Sequence, residues 1–440
     1  MRYKPYPTYK DSGVEWLGEV PEHWDVRRLK HCLNLMTDKT SRRGHPVALE
    51  NIEGWSGRFI ETASEFEGEG VAFVPGDILF GKLRPYLAKA YLAQANGEAV
   101  GDFHVLRPEK STAGRFAQYQ ILNRDFIAIA DSSTFGAKMP RVGWEFMGNM
   151  AFLVPSPAEQ TTIAAFLDHE TAKLDTLIAK QERLIELLQE KRQALISHAV
   201  TKGLNPDAPM KDSGVEWLGE VPAHWDVMAI KHVCTLLKDG THLPPQRVDD
   251  GVPLLSVRNI QDGVFSLLDD DSMISHEDFL ELCRSFVPQP NDVLLAIVGA
   301  TLGKTAVVPP RLGQFHIQRS LAIFRPNHLE HFKFLHRVFE SGSFQQLLWE
   351  NVGFSAQPGI YLGALANFRI PVPPVDEQGR LINYLDYETF KLDCLIEKSC
   401  QCIELMRGHR TALVSSAVTG KIDVREFANI KAEESELQTT

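Results

Sequence analysis

The chain has 440 residues, of which 44% are hydrophobic and 23% are charged, as in ordinary globular proteins. It contains no apolar run of about 18 residues that would cross a bilayer and no apolar secretory segment near its start, so we expect a cytoplasmic protein. The formal net charge of −11 disfavours a general nucleic-acid binder, because contacts to phosphates draw on lysine and arginine.

Residues 1–25 contain most of a segment that returns 201 residues later. The stretch Lys10–His31 recurs almost unchanged as Lys211–His232. Solenoid and propeller repeats have periods of a few tens of residues, so this spacing indicates two duplicated domains and a pseudo-two-fold internal repeat. The repeated tryptophans, Trp16 and Trp24 in the first copy, are expected to anchor the segment to each domain rather than to stack on bases.

Residues 26–154 are predicted to form the first mixed α/β domain. Turn signals precede short β-rich runs, as in Pro75-Gly-Asp-Ile-Leu79. Basic and polar side chains lie in its turn-rich stretches; these types read base edges or hold phosphates in DNA complexes, although solvated surface charge is their commoner role. The candidate DNA contacts here are Arg42, Arg43, Lys82, Arg84, Tyr86, Lys138 and Arg141.

Residues 155–203 are predicted to form a long helix. Prolines precede it, Gly203 closes it, and hydrophobic residues recur in alternating steps of four and three, which is the seam of a coiled coil. The predicted seam positions are Ile163, Leu167, Glu170, Leu174, Leu177, Gln181, Leu184, Leu188, Lys191 and Leu195.

Residues 204–226 are predicted to be a linker and the second copy of the repeated lead-in. Residues 227–370 are predicted to form a second mixed α/β domain, again with polar and basic side chains in turn-rich stretches. The candidate DNA contacts in it are Lys238, Thr241, His242, Arg247, Arg258, Asn259, Lys304, Gln318 and Arg319.

Short matches relate the second domain to the first. Pro290-Asn-Asp-Val-Leu294 matches Pro75-Gly-Asp-Ile-Leu79, and Ile323-Phe-Arg-Pro326 matches Val105-Leu-Arg-Pro108. The scaffold is therefore expected to be shared while the loops differ. Phe332–Trp349 is predicted to be one helix.

Residues 371–422 are predicted to form a second long helix, which ends near Gly420 and matches the first at an offset of 218 residues. Residues 423–440 are polar and are expected to be a flexible tail.

The two long helices are predicted to pair antiparallel. Polar residues interrupt both seams at the same three positions, which are Glu170/Glu388, Gln181/Ser399 and Lys191/His409. An axis near Gln181 and Ser399 brings Glu170 opposite His409. It also brings Lys191 opposite Glu388, and such pairs would fix the register of the helices.

The sequence contains no recognisable catalytic or metal-binding motif. Gly299–Thr305 resembles a phosphate-binding loop but has three residues between its glycines where that loop needs four, so a glycine-rich hairpin is the expected structure. The six cysteines have no paired or metal-ligand spacing, which indicates reduced thiols. We therefore expect neither an enzyme nor a metal site.

The order of repeated segment, variable domain, proline-rich lead-in and helix, present twice, resembles the DNA-specificity subunits of type I restriction-modification systems. The resemblance covers nearly the whole chain. The motifs that carry it are Asp11-Ser-Gly-Val-Glu-Trp-Leu-Gly-Glu-Val-Pro-Glu-His-Trp24 and its copy, Pro371-Val-Pro-Pro-Val-Asp-Glu-Gln378, Ala199-Val-Thr-Lys-Gly-Leu204, Lys82-Leu-Arg-Pro-Tyr-Leu87 and Asp239-Gly-Thr-His242. The first lead-in departs from the second by reading Pro155-Ser-Pro-Ala-Glu-Gln160.

This resemblance implies an α+β fold in which two mixed α/β target-recognition domains, residues 26–154 and 227–370, are separated by an antiparallel two-helix coiled coil. Each domain is expected to read one half of a bipartite, asymmetric target in double-stranded DNA. The chain itself is expected to be non-catalytic and to bind no cofactor. Its expected protein partners are two methyltransferase subunits, which use S-adenosylmethionine, and restriction subunits, which use ATP and Mg, in phage defence; no membrane is involved.

Two other interpretations stay open at this point. A coiled-coil interaction scaffold with two ligand-binding domains that never touch nucleic acid is favoured by the acidic charge. An unrecognised nuclease or methyltransferase is disfavoured by the missing motifs. Lys238, Thr241 and His242 are the foremost DNA-contact candidates, because they flank a turn-forming Asp239-Gly240 and match a motif of the family that the chain resembles.

Overall fold

A computed structural model of the chain describes residues 3–40, 44–62, 69–136, 138–243, 245–261, 263–328, 331–353 and 358–427. Its contacts divide the chain into two compact bodies, called here unit 1 (residues 1–182 and 400–440) and unit 2 (residues 183–399). Both units mix helices and strands, as the sequence predicts. In the part of the chain that is described, no helix is long and apolar enough to cross a membrane.

Unit 1 is built from short strands, short helices and parts of two long helices. Its strands are β1 (Tyr9–Asp11), β2 (Glu19–Pro21), β3 (Asp25–Arg28), β4 (Leu33–Met36), β5 (Lys39–Thr40), β6 (Pro46–Val47), β7 (Gly70–Phe73), β8 (Ile78–Gly81), β9 (Ala90–Leu92), β10 (Gly97–Val100), β11 (Phe103–Pro108) and β12 (Ala151–Val154). Its helices are α1 (Gly114–Ile121), α2 (Arg124–Ser132), α3 (Trp144–Met147), the first part of α4 (Pro157–Lys202) and the last part of α10 (Val375–Val418).

The central sheet of unit 1 has the strand order β4-β11-β8-β9, with antiparallel neighbours throughout. Strand β8 is a continuous apolar run that is buried on both faces. Because side chains alternate along a strand, Ile78 and Phe80 pack with Phe126, whereas Leu79 packs on the other side with Phe73. Two cores therefore cover this sheet, one on each face.

Unit 2 repeats this plan with a larger sheet. Its strands are β13 (Met210–Asp212), β14 (Glu220–Pro222), β15 (Asp226–Ala229), β16 (Cys234–Asp239), β17 (Arg247–Val248), β18 (Val252–Leu255), β19 (Ile260–Gln261), β20 (Val264–Phe265), β21 (Met273–Ile274), β22 (Val293–Ala296), β23 (Thr305–Val307), β24 (His316–Ile317), β25 (Leu321–Pro326) and β26 (Arg369–Val372). Its helices are the last part of α4, α5 (Ile230–Val233), α6 (His276–Cys283), α7 (His331–Glu340), α8 (Gly342–Glu350), α9 (Leu362–Asn367) and the first part of α10 (Val375–Val418).

The sheet β16-β25-β22-β23 of unit 2 has the same antiparallel order as β4-β11-β8-β9 of unit 1, and β20 and β19 extend it. Strand β22 is buried along its whole length like β8. The shared framework explains the short sequence matches between the two domains.

The matched residues form the same buried ion pair in both sheets. In unit 1 the guanidinium of Arg107 donates two hydrogen bonds of 2.8 Å to Asp77. In unit 2 Arg325 donates bonds of 2.7 and 2.8 Å to Asp292. Each aspartate is 1% exposed and also accepts a backbone N–H three residues earlier in the chain. The pair therefore ties the turn before the central strand to the neighbouring strand.

The repeated lead-in folds as a hairpin in each unit, β1 with β2 and β13 with β14. Trp24 and Trp225 are fully buried in the cores of their units, which confirms that they anchor the segment. Trp16 and Trp217 are partly buried and pack against the same cores.

Both long helices end as the sequence predicts. α4 stops at Lys202 and α10 at Val418, and Gly203 and Gly420 adopt positive φ angles of 77° and 73° close behind them. Such left-handed backbone is favourable for glycine, which has no Cβ to clash.

The predicted seam of α4 is wrong at four of its ten positions, which are Glu170, Leu177, Leu184 and Lys191. Leu177 and Leu184 are 48% and 41% exposed, whereas Ile178 is only 9% exposed. The less exposed stripe runs one residue further along the helix at these places. The positions of this stripe are all buried or half-buried. They are Ile163, Leu167, Thr171, Leu174, Ile178, Gln181, Ile185, Leu188, Arg192 and Leu195 on α4 and Leu385, Thr389, Leu392, Ile396, Ser399, Ile403, Met406, Arg410 and Leu413 on α10.

The predicted ion pairs between the helices are wrong as well. Glu170 instead bonds His169 and Lys173 on its own helix, and Glu388 bonds Lys391. The pairs that join the helices are Asp175–Arg410 and Glu182–Arg407 in unit 1 and Arg192–Asp393 in unit 2. In unit 1 Glu182 follows Asp175 along α4, whereas its partner Arg407 precedes Arg410 along α10. The two helix segments of unit 1 therefore run antiparallel.

The structure also describes the residues of the predicted helix Phe332–Trp349, of the start of the predicted tail and of the predicted hairpin Gly299–Thr305. The predicted helix Phe332–Trp349 is two helices, because Ser341 caps α8 by accepting a hydrogen bond from the backbone N–H of Phe344. The start of the predicted tail is packed, with Val424 buried in the core of unit 1. Gly299–Thr305 is the predicted hairpin, since it joins the antiparallel strands β22 and β23.

Candidate nucleic-acid interface

One edge of the central sheet of unit 1 gathers loops that are far apart in sequence. The loop after β8 begins at Lys82, whose carbonyl accepts a 3.1 Å hydrogen bond from the N–H of Val142. The N–H of Arg84 donates to the carbonyl of Pro140 at 2.8 Å. Phe135 and Arg141 exchange two backbone hydrogen bonds, which close the loop between them. The predicted contacts Lys82, Arg84 and Arg141 therefore lie together.

Two of these predicted contacts are occupied by an ion pair. Arg141 donates two hydrogen bonds of 2.8 Å to Asp102, and the ammonium of Lys82 lies 3.9 Å from the same carboxylate. The hydrogen bonds from Arg141 hold the pKa of Asp102 below its ordinary value. We interpret Asp102 as a brace that fixes the two loops, and sequence reasoning missed it.

Of the residues predicted to contact DNA at this edge, Arg84, Tyr86 and Lys138 face solvent. Arg84 has a left-handed backbone with φ 51°, a conformation that non-glycine residues adopt rarely. Tyr86 is 48% exposed. Cations beside an exposed aromatic ring suit a DNA surface, because they attract phosphates while the ring offers a face to a base or sugar.

Phe135 and Met139 were missed by sequence reasoning. They are 66% and 48% exposed in the loop that Arg141 closes. Phe135 lies inside a run of small polar residues, Ser132-Ser-Thr-Phe-Gly, which is the sequence signal that marks it.

The corresponding edge of unit 2 is formed by the end of β16 and the turn before β25. The N–H of Gly240 donates to the carbonyl of Leu321 at 3.0 Å, and that of Thr241 donates to Ile317 at 3.1 Å. A Cβ on Gly240 would lie 2.3 Å from the carbonyl oxygens of Ile317 and Gln318, so only glycine allows the two loops to approach this closely. The N–H of Arg319 completes the contact by donating to Thr241.

This contact brings together the foremost candidates of the second domain. Lys238, His242 and Arg319 are exposed, and Thr241 is half-buried. The imidazole of His242 lies 2.7 Å from the carboxylate of Asp239. Cationic and hydrogen-bonding side chains thus converge where β16 ends.

A cleft of about 360 Å³ opens beside these residues. It falls in the size range of small-ligand sites. Its lining residues are Asp239, His242, Ile297, Val298, Arg319, Gly353, Gly359, Ile360, Tyr361 and Leu362.

Other predicted contacts lie elsewhere in unit 2. Arg258 is held by Asp270 and Asp271 at 2.8 and 2.9 Å. Asn259 is fully buried and bonds Asp271, so its amide has no free surface to offer a base. Lys304 is exposed in the hairpin after β22.

The remaining residues predicted to contact DNA are Gln318, Arg247, Arg42 and Arg43. The amide of Gln318 donates to the carbonyl of Leu254 at 3.2 Å. Arg247 is exposed on β17. Arg42 and Arg43 lie outside the described residues.

Within the described residues, no three His, Cys, Asp or Glu side chains converge as metal ligands. What both edges offer is a set of donors, acceptors and apolar faces that suit binding.

A family comparison matches part of the second half of the chain. Residues 222–393 match the family described as type I restriction modification DNA specificity domain. This range includes the sheet and the candidate edge of unit 2.

Several curated relatives are similar over much of the chain. The type I restriction enzyme MjaVIII specificity subunit of Methanocaldococcus jannaschii is 24% identical over 308 residues, which cover 67% of this chain and 68% of that protein. The putative type I restriction enzyme MjaX specificity subunit of the same organism is also 24% identical and covers 95% of this chain and 98% of its own length.

Solved structures share the fold. A chain of a type I R-M system, solved to explain complex assembly and conformational transition, has a TM-score of 0.70 at 17% identity and covers 92% of this chain and 99% of its own length. The HsdS subunit from Thermoanaerobacter tengcongensis has a TM-score of 0.51 at 20% identity, covering 92% and 98%. Together these comparisons confirm the resemblance that the sequence motifs indicate.

Proposed function

We propose that this chain, which is similar to type I specificity subunits, is the DNA-specificity subunit of a type I restriction-modification complex. It recognises a bipartite, asymmetric target in double-stranded DNA, and each unit reads one half. The chain performs no chemistry of its own. Methyl transfer, ATP hydrolysis and cleavage belong to its partner subunits.

The observation that carries this proposal is the equivalent sheet edge in the two units. Both edges lie where the strands of one shared framework end, and the framework is tied in each unit by the same aspartate–arginine pair, Asp77–Arg107 and Asp292–Arg325. The loops on the two edges differ in sequence and in their exposed side chains. One scaffold with two different edges suits a protein that reads two different sequences.

We further propose that the long helices set the unread spacer between the half-sites. α4 and α10 have 46 and 44 residues, and an α-helix rises about 1.5 Å per residue. Their antiparallel coiled coil, related by a pseudo-two-fold axis, then gives a rigid separation that flexible linkers would not.

The near-identity of the repeated segments supports two equal partner sites. Both copies fold as the same hairpin with a buried tryptophan, Trp24 or Trp225. Two copies of one methyltransferase subunit then bind in the same way, and restriction subunits join the assembly. S-adenosylmethionine, ATP and Mg are used by these partners.

The test is selection from a randomised duplex pool with the purified chain and its methyltransferase subunits. Enrichment of a motif with two fixed parts and an unread spacer is the expected result. A scaffold that never touches nucleic acid predicts no enrichment, and methyl transfer by the chain alone contradicts the proposal.

A further inference from the structure

We propose that the cleft at the edge of unit 2 is a subsite for one DNA base that leaves the stack when the target binds. Tyr361 provides the stacking face, and Arg319 with the Asp239–His242 pair forms the polar rim. This inference rests on the proposed function and names the chemistry of its second half-site.

The floor of the cleft is apolar and firmly packed. Ile297 and Ile360 are 3% and 5% exposed, and the N–H of Ile360 donates to the carbonyl of Ile297 at 3.0 Å. The N–H of Gly299 donates to the carbonyl of Pro358 at 2.8 Å. A planar ring gains from such a floor because its faces are apolar while its edge carries the polar atoms.

Tyr361 stands at the wall of this cleft and is 84% exposed. Its backbone is fixed, because its carbonyl accepts hydrogen bonds from Ala364 at 2.9 Å and Leu365 at 3.2 Å at the start of α9. Most large aromatic side chains of this unit are buried instead, as Phe324, Phe339 and Phe344 are. An exposed ring on a fixed backbone is suited to stack on another ring, because only its two side-chain torsions need to be ordered.

The polar rim matches the edge of a base. The carboxylate of Asp239 lies 2.7 Å from the imidazole of His242, and the guanidinium of Arg319 is exposed beside them. Carboxylates accept from amino groups of bases, and arginine donates to their ring nitrogens and carbonyls. Acceptor and donors therefore meet above an apolar floor.

The stacked duplex does not expose the face of a base, so a base reaches Tyr361 only after unstacking. Proteins that insert side chains between base steps offset the free energy of unstacking with the contacts that the deformed DNA permits. Flexible steps lower the cost, so the subsite also reads the deformability of the target.

The experiment places 2-aminopurine, whose fluorescence rises when it leaves the stack, at each position of the selected target in turn. The expected result with the wild-type chain and methyltransferase is a rise at one position of the half-site read by unit 2, besides any rise at the methylated adenine. Removal of the stacking ring by Tyr361→Ala abolishes this rise and weakens binding roughly ten- to hundred-fold. Tyr361→Phe is expected to retain both the fluorescence rise and the wild-type affinity, because the aromatic ring is retained.

Tyr387→Ala is the matched control, since it removes another exposed tyrosine of unit 2, 64% exposed on α10, that lies outside the cleft. It is expected to leave the signal in place. The half-site read by unit 1 serves as an internal reference and keeps its footprint in the Tyr361→Ala chain.

Two outcomes separate this inference from the proposed function. Specific binding of a two-part target with no such rise, or with an unchanged rise and affinity in Tyr361→Ala, overturns the base subsite alone. Failure of the wild-type chain to select any two-part target overturns the proposed function and the subsite with it.

Discussion

The guanidinium Nε of Arg410 lies 3.2 Å from the carboxylate of Asp175 on the facing long helix. Arg192 and Asp393 form the same pair in unit 2, at 3.0 Å, and each of these residues lies 218 positions from its counterpart. Arg410 also donates a 2.9 Å hydrogen bond to the carbonyl of Trp55. It thereby joins both helices of unit 1 to a loop of the α/β body.

Replacing Arg410 by alanine is expected to destabilise unit 1 by about 1–2 kcal/mol, because the carbonyl of Trp55 loses its donor and Asp175 its partner. The value is modest because Asp175 is 43% exposed and is screened by water. Hydrogen exchange of the peptides around residues 50–58 and 404–414 measures the effect locally.

The charge-swapped pair, Asp175→Arg with Arg410→Asp, tests the two contacts separately. The ion pair between the helices returns, but an aspartate cannot donate to the carbonyl of Trp55. Protection is therefore expected to recover along the helices and to stay low at residues 50–58. Full recovery at both places shows that the bond to Trp55 contributes nothing.

The seam shows why sequence alone did not give the register of the helices. A repeat of four and three residues is satisfied by two neighbouring stripes, one through Leu177 and Leu184 and one through Ile178 and Ile185. Hydrophobic type does not separate them, since leucine and isoleucine are equally apolar. The retention of Arg192 and Arg410 in both copies was the available signal for the second stripe.

The candidate interface was predictable in part. The motifs at Lys82 and Asp239 lie in loops at the ends of the central strands, as expected where turn-rich polar residues follow buried strands. Which cations are free was not predictable, since Arg141 is occupied by Asp102, a residue 39 positions away. Tyr361 was missed because exposure of an aromatic ring depends on tertiary packing.

Glu159 and its counterpart Glu377 both lie beside the histidine of the repeated segment, but only Glu159 has further partners. Glu159 is 5% exposed, lies 3.0 Å from the imidazole of His23, and accepts hydrogen bonds from Tyr6 at 2.8 Å and from the indole of Trp24 at 3.1 Å. Burial and the hydrogen bond to Glu159 raise the pKa of Tyr6 above its ordinary range. Its counterpart Glu377 bonds His224 at 2.7 Å and is more exposed.

Glu159→Gln is therefore expected to cost about 1–3 kcal/mol, since two charge-assisted bonds of a buried carboxylate are weakened. Glu377→Gln is expected to cost less than about 1 kcal/mol, as for a surface pair. Hydrogen exchange of residues 3–25 and 204–226 compares the two hairpins within one molecule. Equal losses of protection contradict the assigned role of Glu159.

His104 gives unit 1 a pH dependence. It is 7% exposed, and burial lowers its pKa from 6.5 to about 4, while its Nε2 donates to the carbonyl of Val142 at 3.0 Å. Between these values the unfolded chain binds a proton that the folded chain does not. Stability is therefore full above about pH 6.5 and falls by about 3 kcal/mol as the pH drops to about 4.

The measurement is the urea midpoint between pH 7.5 and 4.5 for the wild-type chain and His104→Gln. Glutamine keeps a donor for the carbonyl of Val142 but does not titrate, so the variant is expected to show a shallower acid slope. His316 is also buried with a lowered pKa and stays in both chains, so the difference in slope isolates His104. Identical slopes exclude this role.

In a chain with the proposed function, the length of the long helices is expected to set the length of the unread spacer. Seven residues inserted after Leu187 and after Lys398 preserve the seam, because a heptad returns the same stripe to the partner helix. Each helix grows by about 10.5 Å, which corresponds to about three base pairs of B-DNA. The selected target is expected to keep both half-sites and to gain about three unread base pairs. The same insertion in α4 alone displaces Arg192 from Asp393 and is expected to abolish selection, whereas a spacer that stays unchanged in the double insertion shows that the helices do not set it.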